Sequence, residues 1–568
     1  MGTRRHQTIN TQTSLRVTKR DLIMGTIIRP IMKPNLIKIL LLLITGALLL
    51  SPYLNFQDIL SQGDHGRDLY AFWATANGQM PYQDYWWVYG PLMPYYYALF
   101  FKIFGTAVPS VLLGQILLET GAGLFIFLSL SLWVSPLMAY AGAIWFWVFR
   151  PQFFFTYNHA GGILLLAATA YHLLAYIKKP RDTYLWRGLI GIFLLGLVKI
   201  NFGLAALVVF LGGIFAADRL HHIRLSSKKK IFYWAAALGL PVLFFLIYFA
   251  FLRGLPIYAV RQCLPYLSVD HPYNAPLSKS LWKWWQALAL NINAGWTNRI
   301  FALMILGLSA RCLYRLLRAP EEKEARHPFL FSILILLIFY AVGLHEYIKS
   351  IVLYRTEWVK PFSVLMIFLL LGRSMGNIKK SVQIMLVLAL LGLASARYIP
   401  VAKTIAFYKR PDHFLAPERG RLFITNNPPW IETVSRATRL LETELAENET
   451  FFTLPFAPLY YYLASRFSPT RQLIFFEHIN IPAQQEKKII AELEAQRVNT
   501  IVVTNRAISS ERGMGLLGHD YCPLIGKYIV ENFKESQRLG EWRKPAGWAW
   551  SHGVVILKRR PAERRYLK

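Results

Sequence analysis

The sequence predicts an α-helical multi-pass membrane protein with a small C-terminal extracytoplasmic α/β domain. Three observations carry that reading. Hydrophobic residues fill 55% of the 568 positions and charged residues only 17%, whereas a soluble domain averages about 25% charged. The apolar residues come in blocks of roughly 17 to 25, the length that crosses a hydrocarbon core of about 30 Å. From about Arg397 the composition turns polar, mixed and punctuated by Pro and Gly, over a tail long enough for one globular domain. The formal net charge of +32 fits the same picture, because Lys and Arg hold loops on the cytoplasmic side. These charges are spread over many short loops and make no single stripe, which argues against nucleic-acid binding. Cys263, Cys312 and Cys522 lie too far apart for a metal spacing or a disulfide framework.

Taken in order, residues 1–35 form a basic tail (Arg4, Arg5, Arg16, Lys19, Arg20, Arg29, Lys33), expected in the cytoplasm. The block at 36–53 is the first span. A long basic lead and no clear small-residue cleavage site mark it as a retained anchor rather than a signal peptide. Residues 54–105 then form a loop on the far side. Further spans are expected near 107–133, 135–150, 158–178, 185–200, 202–218, 231–252, 297–316, 328–344, 358–372 and 380–397. Eleven spans make residues 36–397 the transmembrane domain and put the 398–568 domain outside. The turns predicted to be cytoplasmic, IKKPRD, HHIRLSSKKK, RLLRAPEEKEAR and GRSMGNIKK, are all rich in Lys and Arg. Within the first loop, 68–77 and 92–104 read as interfacial helices. A second outer loop at 253–296 carries Arg253, Arg261, Asp270, His271 and LWKWW at 281–285, the last read as an interfacial anchor. In the tail, FFTLPF at 451–456 reads as a strand and PLYYYLASRF as a short helix. QEKKIIAELEAQRV at 485–498 is an amphipathic helix, and 499–505 and 553–559 are strands.

The chemistry concentrates in residues 62–105, where Asp64, Asp68 and Asp84 stand among aromatics and Pro81, Gly90, Pro91 and Pro94 punctuate the chain. A carboxylate just outside a span suits proton removal from a hydroxyl during group transfer. An anionic leaving group then needs cations, and Arg67, Arg261, Arg355, Lys360 and Lys199 are the candidates on the same side. Lys199 sits in LLGLVKINFGLAALVV, and an ionisable residue in such a stretch is a functional hypothesis by default. The ordinary alternative is that it snorkels to the interface. For the acids, the ordinary alternatives are a helix N-cap or a partner for Arg67. His159 in YNHAGG is more ordinary as a packed side chain than as a ligand. HxxxH, CxxC, a Walker loop and GxSxG are absent, which argues against a zinc protease, an ATPase and a Ser hydrolase.

The stretch DHGRDLYAFWATANGQMPYQDYWWVYGPLMPYYYALFFKIFG resembles the first outer loop of polyprenyl-phosphate-sugar-dependent glycosyltransferases of the GT-C fold. These are enzymes of the protein O-mannosyltransferase and aminoarabinose transferase kind, glycosyltransferase family 39-like. Asp64 takes the place of the family's Asp, His65 replaces its Glu, and Gly78 is its Gly. Pro81-Tyr82-Gln83-Asp84 and Gly90-Pro91-Leu92 follow. VKINFG at 198–203 is similar to the family's Lys-bearing segment, and FTLPFAPLYYYLASRFSPTR to the start of its outer domain. The resemblance implies a GT-C-like transmembrane domain that inverts the anomeric centre, with a polyprenyl-phosphate-linked sugar as donor and a glycan, glycolipid or protein as acceptor. It implies Asp64 as general base, with Asp68 able to share the task and His65, Tyr82, Asp84 and Lys199 at the substrates; the cation candidates Arg67, Arg261, Arg355 and Lys360 are expected beside them on the charge argument above. The His65 departure leaves a divalent metal open. A carrier would instead show inverted repeats and polar residues at mid-membrane depth, and neither is clear. A noncatalytic assembly protein that binds through its tail is the third reading.

Overall fold

The computed structural model of the chain describes residues 34–54, 63–148, 157–221, 226–252, 327–350, 353–375, 379–404, 427–508, 514–544 and 552–561, with short pieces at 56–57, 60, 307, 310, 314, 414–415, 419 and 422–424. The fold is mostly helical. Its first half contains α1 (Pro34–Leu50), α2 (Asp64–Ala76), α3 (Leu92–Phe104), α4 (Val108–Ser131), α5 (Pro136–Val148), α6 (Tyr157–Lys178), α7 (Asp182–Val198), α8 (Ile200–Leu220) and α9 (Ser227–Leu252). After the interval come α10 (His327–Gly343), α11 (His345–Ser350), a 3-10 turn at Leu353–Val359, α12 (Lys360–Met375) and α13 (Lys380–Thr404). The tail holds α14 (Pro428–Glu444), α15 (Leu459–Ala464), α16 (Ala483–Ala495) and α17 (Pro523–Asn532).

Among the described residues, six helices are long and apolar enough to cross a membrane: Leu36–Tyr53, Val108–Ser131, Tyr157–Lys178, Ile200–Leu220, Pro328–Tyr347 and Arg355–Met375. The expected count of eleven is not confirmed by these described residues. The expected span at 135–150 is a helix of 13 residues, which at 1.5 Å per residue rises only about 20 Å. The one at 185–200 is a 17-residue helix that ends where Lys199 turns extended. Most of the expected span at 297–316, and all of Arg261 and LWKWW, lie outside the described residues. The six span helices are not equally enclosed. In α6, 83% of the apolar window is buried, against 17% for the first span, so α6 is central and α1 presents most of its surface outward.

The tail is tied to the first loop by a three-stranded sheet in the order β1-β3-β2. β1 (Phe56–Gln57) runs parallel to β3 (Leu422–Ile424), with Phe56 opposite Phe423, and β2 (Phe414–Leu415) is antiparallel to β3. A second sheet has the order β4-β5-β7-β6. β4 (Phe452–Leu454) pairs parallel with β5 (Thr500–Thr504), with Phe452 opposite Ile501. A parallel pair needs a crossover, and α16 provides it, burying Ile489 and Leu493 against the sheet. β7 (Gly553–Arg559) lies antiparallel between β5 and β6 (Phe533–Gly540). β6 is an element the sequence reading does not contain.

The site depends on two close backbone approaches. α15 crosses α2 at Gly66, where a Cβ would stand 2.6 Å from the Leu459 backbone nitrogen. α7 and α8 meet at Gly203, where a Cβ would stand 2.5 Å from the Cα of Gly196. Only glycine permits either approach. The first presses the tail onto the helix that carries the acids, and the second closes the hairpin that presents Lys199.

Candidate active site

α2 begins at Asp64, directly after Gly63. A carboxylate in the first turn is favoured there, because the unpaired N–H groups give a helix N-terminus a partial positive charge. Asp64, Arg67 and Asp68 fall at i, i+3 and i+4, so one helix face carries all three. Arg67 Nη1 donates to Asp64 Oδ1 at 2.9 Å, while its Nε and Nη2 donate to Asp68 Oδ1 at 3.0 and 2.7 Å. The two acids are not equivalent. Asp68 is fully buried, whereas the side chain of Asp64 keeps 14% of its surface open. Asp68 Oδ2 is buried without a hydrogen-bond partner. Burial raises the Asp68 carboxyl to about 6, against the opposing pull of Arg67.

The guanidinium of Arg67 lies 5.6 Å from the ring of Trp87 and 5.0 Å from that of Tyr89. Tyr89 has a second cation beside it: Lys199 Nζ is 5.2 Å from the same ring, 5.5 Å from Trp358 and 5.6 Å from Phe202. Phe202 and Trp358 stack at 3.8 Å. Lys199 is the extended residue between α7 and α8, with φ −156° and ψ 111°. The loop is tied to this break directly, since Gly90 N donates to the Val198 carbonyl at 2.9 Å. Trp87 Nε1 donates to the Gly90 carbonyl at 3.0 Å and the Tyr82 hydroxyl donates to the Tyr89 carbonyl. Three residues of the predicted set, Arg67 on α2, Tyr82 in the loop and Lys199 in the hairpin, thus meet at Tyr89.

Lys199 is ion-paired with Glu346. Asn201 Nδ2 donates to Glu346 Oε1 at 2.8 Å and lies 2.7 Å from His345 Nε2. His345 Nδ1 sits 2.8 Å from the Val342 carbonyl, so the tautomer with hydrogen on Nδ1 satisfies both contacts. The half-buried Arg355 acts on Glu346 through its charge. Lys360 Nζ lies 3.9 Å from Glu357.

Of the other predicted residues, His65 is buried edge-on to Tyr157 at 5.4 Å, on the apolar side of α2. Asp84 is exposed; its Oδ2 accepts from Met80 N at 2.7 Å and its own N–H donates to the Met80 carbonyl at 3.0 Å, which closes the turn before Tyr85. The structure therefore groups Asp64, Arg67, Asp68, Tyr82 and Lys199, with Arg355 and Lys360 on the segment beyond Glu346, and sets His65 and Asp84 apart from the acids' shared face. The sequence reading does not contain Glu346, Asn201, His345, Tyr89 or Trp358. Glu346 carried the signal that singled out Lys199, an ionisable side chain at the end of an apolar run.

No group of three or more His, Cys, Asp or Glu able to hold a metal ion occurs among the described residues. The two adjacent carboxylates, the natural nucleus of such a site, share the Arg67 guanidinium instead.

No family model matches the chain, and no curated protein matches it. Solved structures do. The chain is similar to the Archaeoglobus fulgidus oligosaccharyltransferase in its complex with Zn and sulfate, at 13% identity and TM-score 0.47, over 83% of this chain and 68% of the other. The apo form of that protein gives TM-score 0.45 at 13% identity, over 83% and 70%. ArnT from Cupriavidus metallidurans bound to undecaprenyl phosphate gives TM-score 0.48 at 10% identity, over 91% and 97%. Both proteins are GT-C fold glycosyltransferases.

Proposed function

We propose that this chain is an integral-membrane glycosyltransferase that moves a sugar from a polyprenyl-phosphate donor to an acceptor hydroxyl at the outer face of the membrane. One observation carries the reading: a partly open carboxylate, Asp64, and a cation at the end of a membrane hairpin, Lys199, are linked through Arg67 and the ring of Tyr89. In the proposed step the acceptor oxygen attacks the anomeric carbon from the face opposite the phosphate. The bond from that carbon to the phosphate oxygen breaks, the configuration inverts, and the hydroxyl proton passes to Asp64. Arg67 fixes one Asp64 oxygen and leaves the other for the proton. Lys199, with Arg355 nearby, receives the departing phosphate charge, an electrostatic role suited to a site walled by Trp358, Phe202 and Tyr89. The acceptor is a glycan, a glycolipid or a protein.

The test is a comparison of glycolipids and glycans by mass spectrometry from cells that make the wild-type chain, Asp64→Asn or none. A sugar-bearing product should appear with the wild type alone. A general base supplies about 10² to 10⁴-fold in rate, so Asp64→Asn should lower product formation by that order at normal protein abundance. Full transfer by Asp64→Asn, with loss in Asp68→Asn or Asp84→Asn, moves the base to that residue.

A further inference from the structure

A second group of cations lies at the far end of α2 and takes no part in the proposed transfer. Arg419 sits between β2 and β3, and its guanidinium is 5.7 Å from the ring of Trp73 near the end of α2. Trp73 packs at 4.8 Å against Phe467, the neighbour of Arg466, which lies just beyond α15. Both arginines are held by backbone. The Arg419 carbonyl accepts from Val108 N at 3.1 Å and from the Tyr462 hydroxyl at 3.3 Å. Arg466 Nη1 donates to the carbonyls of Ala464 and Ser465 at 3.4 Å, and Nη2 to that of Ala446 at 3.3 Å. Two donors are left over. Arg419 Nη1 and Arg466 Nε are buried with no hydrogen-bond partner. A buried donor left unmade is destabilising, and here two belong to cations whose charges act on each other. Burial lowers the Arg419 guanidinium from its ordinary value, and Arg466 lowers it further. Tyr462 and Glu442, the latter exposed on α14, raise it only in part.

The position of the pair says which anion it faces. Val108 is the first residue of the spanning helix α4, and the Thr106 carbonyl accepts from Tyr462 at 2.9 Å. The preceding helix, α3, exposes Tyr95, Leu99 and Ile103, one turn apart on one face, followed by Phe104. An apolar face leads into a membrane span whose first residue is tied to the Arg419 carbonyl, and the under-satisfied guanidinium of that same residue lies by Trp73 of α2; together they suit an acyl surface with a headgroup socket. Arginine's planar fork matches phosphate oxygens. We propose that Arg419 and Arg466, beside the Trp73–Phe467 pair, bind the phosphate of an anionic membrane lipid whose chains lie along α3.

The proposal is independent of transfer chemistry and is tested by binding. The full-length protein in detergent is given equal amounts of phosphatidylglycerol and phosphatidylcholine, and native mass spectrometry counts the lipids retained. The wild type should hold one more phosphatidylglycerol than Arg419→Gln/Arg466→Gln. Arg436→Gln/Arg439→Gln removes the same charge from exposed positions on α14 and should match the wild type. Arg419→Lys/Arg466→Lys keeps both charges without the planar fork and should hold the lipid less firmly than the wild type but better than the Gln pair, which separates loss of the site from loss of the fold. Equal retention by the wild type and the Gln pair overturns the proposal, as does retention by the Lys pair no better than by the Gln pair. Millimolar inorganic phosphate should leave the bound phosphatidylglycerol in place, and its displacement would mean that the socket takes free phosphate, overturning the lipid assignment.

Discussion

Asp68 and Glu346 have different problems, though each is a buried carboxylate paired with a cation. Asp68 shares Arg67 with Asp64, and burial lifts its carboxyl to about 6. That is above the value of about 3.9 for an unfolded Asp. Between those two values the folded chain binds more protons than the unfolded one, so this group's contribution to stability falls as pH rises from about 4 to 6. Its protonation also bears on the base, because a neutral Asp68 leaves the Arg67 guanidinium to Asp64 alone. Transfer activity should therefore rise with pH through about 6, and Asp68→Asn should remove that limb of the pH–rate profile. An unchanged limb in Asp68→Asn would assign it to another group. Glu346, by contrast, is shared by Lys199 and Asn201. Removing one member of a buried ion pair typically destabilises by about 3–5 kcal/mol. Glu346→Gln and Lys199→Met should each lower the thermal unfolding midpoint in detergent, and the double variant should lose less than the two singles together. Strict additivity would mean that the pair contributes no coupling.

At the scale of elements, the lever on the acids is the contact of α2 with α15. Gly66 is one residue from Arg67, and a Cβ there meets Leu459 at 2.6 Å from both Cβ and the backbone nitrogen. Backbone cannot yield as a flexible side-chain end can, so Gly66→Ala should separate the helices and cost about 1–3 kcal/mol, as overpacking does. Because the displaced helix carries Asp64, activity should fall further than the loss of folded protein explains; loss of stability with full specific activity would show that the tail merely covers the loop. The sequence made part of this arrangement legible. Gly63-Asp64 with Arg67 and Asp68 three and four residues on is a local pattern, and α3 is helical over the residues its aromatics suggested, Leu92–Phe104. The pairing of Lys199 with Glu346 is not local, and its companion contact from Asn201 to Glu346 spans 145 residues. Nor is the bond from Tyr462 to Thr106, which spans 356. Periodicity says nothing about such partners. β6 escaped notice for another reason. FKESQRLG is mostly solvent-facing, with Phe533 and Leu539 as its buried positions, so an edge strand reads as a polar loop.

Over the whole molecule, the two ends of α6 differ in the way the proposed orientation in the membrane requires. Its first residue, Tyr157, receives the Tyr97 hydroxyl at 2.9 Å and packs against His65 at the loop end. Its last turn holds Tyr176, whose hydroxyl joins Lys229, Tyr233 and the buried Asp218 in one hydrogen-bonded group. Tyr157 and Tyr176 stand 19 residues apart on one helix, so these two groups lie about 28 Å apart along its axis, close to the thickness of a hydrocarbon core. The Asp218 end gathers Lys178, Lys179, Arg181, Arg219, Lys228 and Lys229, the composition of a cytoplasmic face. The tail belongs to the opposite end, since Val108 N donates to the Arg419 carbonyl and β3 pairs with β1 of the first loop. Reporter fusions after residues 225 and 420 should therefore report opposite sides of the membrane, cytoplasmic for 225 and outer for 420. This outcome does not depend on how many helices cross between them, because it follows from contacts at each end. Both reporters on one side would break the link between the tail and the first loop, and with it the assignment of Asp64 and Lys199 to the outer face.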